Sequence, residues 1–86
     1  MTKEQEAQYN ELVGELIHTT MWKKKLTQTD VADRLGITQS TLSRKIRGYR
    51  SIEIGELARI ASALGVPITD LIPDVDLAAM ADSLTQ

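Results

Sequence analysis

The chain has no cysteine and no phenylalanine, only two prolines, and aromatic residues make up just 3% of its 86 positions. Without cysteine there is neither a disulfide framework nor a thiolate metal site, which is the usage expected in a reducing cytoplasm. Without phenylalanine the core must be built from aliphatic side chains. No apolar run approaches the roughly 18 residues that span a bilayer, and the opening MTKEQEAQYNE lacks the apolar centre of a signal peptide, so no membrane partner is expected. The single histidine, His18, has no cysteine or second histidine with which to share a metal, and no side chain stands in a nucleophile-and-base motif. The expectation is a protein that is not an enzyme and takes no metal, cofactor or small-molecule ligand.

What is present is ordinary in amount and unusual in arrangement. Hydrophobic residues are 42% and charged residues 26% of the chain, globular values for one domain. A chain this short buries only about 60–65% of the surface its unfolded form exposes, so marginal stability is expected. The formal net charge is −2 and the pI about 5.3, which on average argues against a polyanionic partner. The average conceals a polarity. Between residues 22 and 50 lie eight of the ten basic residues and only Asp30 and Asp33 among the acids, so that segment carries +6 while the rest of the chain carries −8. A phosphate backbone responds to the local field within about 8–10 Å at physiological salt rather than to the total. A basic cluster taken alone is more often a solvated face; its position decides.

Helical periodicity runs through the whole chain. Thr2 followed by Gln5 reads as a capping box, and Leu12, Val13, Leu16, Ile17, Thr20 and Met21 recur on one face, predicting a first helix over about 3–22. Thr27 with Asp30 three residues on predicts a second helix from Gln28, carrying Val31, Ala32 and Leu35 inward and ending at Gly36. Thr38 is placed to cap a third, with Leu42 and Ile46 inward and Gly48 closing it. From about Glu53 a fourth helix presents Ile54, Leu57, Ala58, Ile60, Ala61 and Leu64, an apolar face broad enough for a central position, and ends at Gly65. Pro67 opens a short turn of helix with Ile68, Leu71 and Ile72, stopped by Pro73. The domain therefore spans 1–73. In the tail, 74–86, Leu77, Met80, Ala81 and Leu84 make a narrow stripe that an extra C-terminal helix, capped by Asp74 or Asp76, would present for packing on the first helix or pairing with a second copy, unless it frays.

Two short helices joined by a glycine-containing turn form the geometry in which the second lies in a major groove while the first crosses the backbone. Here Ala32 is small where the two helices meet, Gly36 makes the turn, and Leu42 fills the corner. The segment Gln28 to Gly48, QTDVADRLGITQSTLSRKIRG, closely resembles the helix-turn-helix of the phage Cro and repressor family of transcriptional regulators. The likeness extends over about residues 10–72 through Leu26-Thr27-Gln28 before it and LARIASALGVPITDLI after it. It implies an all-α, compact five-helix bundle of the lambda-repressor type that binds operator DNA, usually as a dimer.

The resemblance also implies roles. Gln28 would hold a phosphate and brace Gln39. Gln39, Ser40, Ser43 and Arg44, with the third helix running from about Gln39 to Arg47, would read bases in the major groove, since a Gln amide can pair bidentately with adenine and an Arg fork with guanine. Thr38, foremost a cap, Arg47, Tyr49, Arg50 and the lysines Lys23, Lys24 and Lys25 would reach the DNA backbone and supply affinity rather than sequence choice. The plainer readings are a solvated first-turn glutamine for Gln28, and serines merely small enough to fit a groove. Against them stands the crowding of Arg44, Lys45, Arg47 and Arg50, unfavourable without an anion nearby. Neutralising four to six phosphates per subunit would give a log–log salt slope of about −4 to −5.

Two features depart from the family pattern. Ile46 stands where relatives commonly carry an acid, and Lys45 where they are more often apolar; Glu53 replaces the usual Ser or Thr cap of the fourth helix, where Gly55 weakens the first turn by about 0.5–1 kcal/mol relative to Ala. Trp22 and His18 are assigned no site; the indole is expected to cover the bundle edge. The resulting expectation is a cytoplasmic, nucleoid-associated Cro-like repressor of a phage or bacterial host, binding a palindromic double-stranded operator as a homodimer. The alternative is an antitoxin or protein-interaction module that engages its partner through the C-terminal tail.

Overall fold

The computed structural model describes residues 1–74; the expected tail helix lies outside the described residues. Those residues form four α-helices, α1 (Lys3–Lys23), α2 (Gln28–Leu35), α3 (Gln39–Ile46) and α4 (Ile54–Leu64), followed by one 3-10 turn, Ile68–Leu71, and no strand. The expected fifth helix is replaced by that single 3-10 turn, closed by Asp70 donating to the Pro67 carbonyl and Ile72 to the Thr69 carbonyl. No helix among the described residues is long and apolar enough to cross a membrane.

Each of the first three helices starts on a threonine. The Thr2 hydroxyl accepts from the Gln5 amide at 3.1 Å while Gln5 Oε1 accepts from the Thr2 amide at 2.7 Å; Gln5 is buried in doing so. Thr27 and Asp30 repeat the exchange at 3.1 and 2.9 Å. Thr38 accepts from the Thr41 amide at 3.2 Å. Such caps satisfy backbone donors that have no partner inside the helix. Glu53 makes no cap hydrogen bond for α4, which depends instead on the face it buries.

The helices end in a repeated way as well. At Gly36 and Gly65 the chain turns left-handed, with φ of +70° and +72°, and the next residue's N–H returns to a carbonyl five residues back. Lys25 does the same after α1 with φ +57°, its follower Leu26 donating to the Met21 carbonyl at 2.9 Å. It is a lysine holding a conformation that costs an L-residue with a side chain about 1 kcal/mol.

The core is aliphatic: Val13, Ile17 and Met21 from α1, Val31 and Ala32 from α2, Leu42 from α3, Leu57, Ile60, Ala61 and Leu64 from α4, and Leu71. The expected inward face of α4 is narrower than its sequence, because Ile54 (68% exposed) and Ala58 point outward. Ile54 is the first residue of the helix, and Ala58 lies roughly 160° of helical rotation from Ile60. Trp22 is also outside, 78% exposed rather than folded over the bundle edge, since α1 turns its Val13, Ile17 and Met21 stripe to the core. Ile72 is likewise only partly covered.

Candidate nucleic-acid interface

A small residue, a corner residue and a glycine turn bring α2 and α3 together. Ala32 is 1% exposed where the helices meet, Leu42 is fully buried in the corner, and the Gly36 turn leaves one residue, Ile37, before the Thr38 cap. Leu42 is the single fully buried side chain of α3, Ser43, Lys45 and Ile46 are half-buried, and the remaining face is left to solvent. Gln39, Ser40 and Arg44 are exposed on it and Arg47 is exposed just beyond its end; Ser43, expected with them, is half-buried.

At the N-terminal ends of the two helices, Gln39 Nε2 donates to Gln28 Oε1 at 2.7 Å. The bond crosses from the first residue of α2 to the first residue of α3 and fixes the Gln39 side chain against one neighbour. At the other end of α3, Arg44 and Lys45 share a polar cleft with Tyr49, Arg50, Glu53 just before α4, and Glu56 on it. Lys45 is withdrawn from the basic group: its Nζ lies 2.5 Å from Glu56 Oε2, both half-buried. The crowding of four cations is thereby reduced to Arg44, Arg47 and Arg50, all exposed. Arg34 is committed elsewhere too, donating from Nη1 to the Ala63 carbonyl at 2.7 Å, where it meets the negative end of α4.

Lys23, Lys24 and Lys25 stand exposed in the α1–α2 link, and Tyr49 is 70% exposed after α3. Asp30, beside this basic surface, is held below its ordinary carboxyl range chiefly by the backbone and hydroxyl hydrogen bonds of Thr27, with the Arg34 charge adding a smaller effect. Its negative charge is thus tied into the start of α2. Among the described residues there is no cluster of His, Cys, Asp or Glu that could hold a metal.

What fixes the tilt of α3 is a contact that periodicity did not single out. Gly14, buried in the middle of α1, lies so close to α3 that a methyl group on it would overlap the Ile46 carbonyl oxygen. Gly48, at φ +77°, passes the α1 backbone at Asn10 and Glu11, where a side chain would also press. The C-terminal end of α3 therefore docks on the bare backbone of α1. A glycine inside an otherwise apolar-periodic helix was the available signal, because it weakens the helix unless another backbone needs the space. Ile46, on the same turn, packs half-buried against the core, which settles the inward register of the last turn in favour of Ile46 over Lys45. The loop that follows is tied down by a polar chain in which Asn10 Nδ2 donates to Ser51 Oγ at 3.2 Å and Ser51 Oγ donates to Glu6 Oε1 at 2.8 Å.

Two short capped helices set at a tight turn, the second with one exposed face and flanked by arginines, define a helix-turn-helix protein. The helix-turn-helix family model matches residues 22–71; the chain belongs to that family, a class of DNA-binding transcriptional regulators. Among solved structures it is similar to the clp gene regulator ClgR from C. glutamicum, with 24% identity, a TM-score of 0.70, and coverage of 87% of this chain and 91% of that one. That likeness is one of fold. No curated protein matches.

Proposed function

We propose that the chain is a Cro-like repressor, of phage or bacterial type, which reads a palindromic double-stranded operator as a homodimer and acts in the cytoplasm on nucleoid DNA. The observation that carries the reading is the braced Gln39 at the head of an exposed α3. One Nε2 hydrogen of Gln39 is engaged by Gln28, which leaves the second hydrogen and Oε1 to pair with adenine N7 and N6. Gln28 keeps its own amide hydrogens and the N-terminal backbone of α2 for a phosphate. Ser40 and Arg44 follow on the same face, Arg44 reaching guanine, with half-buried Ser43 contributing a nearer, shorter contact. Thr38, Arg47, Tyr49, Arg50 and the Lys23–Lys25 run engage the backbone. Residues 1–73 act as the DNA-binding domain, with half-sites about one helical turn, roughly 34 Å, apart.

The test is selection of bound duplexes from a random library, then titration of the winner against a scrambled duplex at two salt concentrations. An inverted repeat preferred by about a thousandfold supports the reading. On that duplex Arg44→Ala costs about 1–3 kcal/mol and relaxes base choice at one position, whereas Lys24→Ala weakens all sequences alike and lowers the salt slope by about 1. Uniform loss in both variants sinks the assignment of the recognition face. No enrichment at all sinks the operator reading.

A further inference from the structure

The apolar residues that periodicity sets together on α1 serve two faces in the structure. Val13, Ile17 and Met21 enter the core, whereas Leu12 and Leu16 are half-buried and stand outside the cluster of described residues that packs there. Each of these leucines lies roughly 160° of helical rotation from Gly14, the point at which α3 rests on α1. With Thr19 they make a column at i, i+4 and i+7 on the side of α1 away from the recognition helix. The chain comes back to this column after the 3-10 turn: Ile72, Pro73 and Asp74 meet Leu12, Leu16 and Thr19 around an open groove of about 380 Å³. Ile72 is 40% exposed there, and the rim carries the carboxylates of Glu15 and Asp74, both in water.

We infer that residues 75–86 of the same chain fill this groove as a short helix laid against α1. The point at which the described chain stops favours that occupant, because Asp74, its last residue, is itself part of the groove wall. The sequence beyond it carries Leu77, Met80, Ala81 and Leu84. Of these, Leu77, Ala81 and Leu84 repeat the i, i+4, i+7 spacing of Leu12, Leu16 and Thr19. At a rise of about 1.5 Å per residue each stripe is roughly 10 Å long, so the two match in length as well as in spacing. The step from Asp74 to Leu77 is at most about 10 Å of chain, which lets the second stripe begin within the groove whichever way it runs. A helix this short does not persist alone in water and needs an apolar partner. So short a tether gives the chain's own groove an effective concentration of about millimolar or more, ahead of a groove on another molecule. Asp82 falls on the face opposite the stripe, where it stays in water, and Asp76 stands just before the stripe as a cap. Nucleic acid would meet the carboxylates of Glu15 and Asp74 at the rim, which disfavours it.

The experiment is paramagnetic NMR of the full chain without DNA. The chain has no cysteine, so Ser83→Cys, off the apolar stripe, accepts a single nitroxide. The amide signals of Leu12–Thr19 are expected to be lost while those of Gln39–Arg44 keep their intensity. In a mixture of tagged chain with isotopically labelled, untagged chain no loss is expected, because the contact lies within one molecule. Leu77→Glu in the tagged chain restores the α1 signals and lowers the melting temperature by about 4–8 °C, whereas Ala79→Glu, on the far face of the same segment, leaves both as they were. Both positions lie beyond the residues that build the core, and unshifted α3 signals verify that the fold is kept. Signals of Leu12–Thr19 that survive the nitroxide overturn the inference. Loss centred on Gln39–Arg44 places the acidic tail on the basic face and overturns it too. Equal loss in the mixture gives the groove to the tail of a second copy, which is a third way for it to fail.

Discussion

The two eight-residue helices and the two longer ones are built on opposite plans. Helices α2 and α3 bury only Val31, Ala32 and Leu42 between them, while α1 buries Gln5, Val13, Gly14, Ile17 and Met21 and α4 buries Leu57, Ile60, Ala61 and Leu64. A helix of eight residues is far too short to persist alone. The short pair compensates at its ends, with threonine caps at Thr27 and Thr38 and left-handed glycines at Gly36 and Gly48. The long α4 has no side-chain cap and is held by its buried face. Because α3 gives only Leu42 fully to the core, the face carrying Gln39, Ser40, Thr41 and Arg44 is left for recognition, and its orientation is borrowed from α1.

The largest expected effect attacks that borrowing. Gly14→Ala forces α1 and the end of α3 apart and is expected to cost about 3 kcal/mol, read by denaturant unfolding. Ser62→Ala, exposed on α4, serves as the matched surface control and moves stability by less than about 0.5 kcal/mol. If Gly14→Ala is as mild as the control, α3 is not set by α1 and the contrast between scaffold and recognition pair collapses.

A smaller effect separates stability from affinity within the basic link. Lys25→Gly relieves the left-handed strain and is expected to raise stability by about 1 kcal/mol. The same change removes one backbone cation and lowers the DNA salt slope by about 1. Opposite movements of melting and binding show a residue kept for its charge at a conformational cost; parallel movement shows that the lysine is there for the fold.

The smallest concerns the cap of α2 and is read against pH. The folded carboxyl of Asp30 titrates below its ordinary value of 3.8 because Thr27 donates to the charged form. Its contribution is therefore fully present above that value and is lost as pH falls through the lower folded one. Wild type and Asp30→Asn should differ in melting temperature at neutral pH and converge as the pH falls through the lowered folded value. A gap that persists in acid assigns the difference to something other than the charged cap.

Much of this was legible without coordinates, and for identifiable reasons. The Thr2–Gln5, Thr27–Asp30 and Thr38 caps and the Gly36 turn depend on residues three or four apart, so local spacing contains them. The brace from Gln39 to Gln28 came from likeness to a family rather than from spacing, because eleven positions separate the two. The contact of Gly14 with Ile46 and the pairing of Lys45 with Glu56 were not legible, since neither residue's own neighbours in the chain point to its partner. Trp22 and Ile54 were expected to be covered, as large apolar side chains usually are, and lie outside; helical period says which residues share a face, not how far a neighbouring helix extends over it.

The sequence by itself determined where the helices begin and end, which aliphatic residues are available to the core, and that the basic groups gather between residues 22 and 50, because caps, turns and charge are properties of short stretches. Only the tertiary structure decided how α3 is presented, which cations are free and which are paired, and which apolar residues are left uncovered. Those depend on the distance between backbones that are remote in the chain, and that distance is set here by a glycine with no side chain at all.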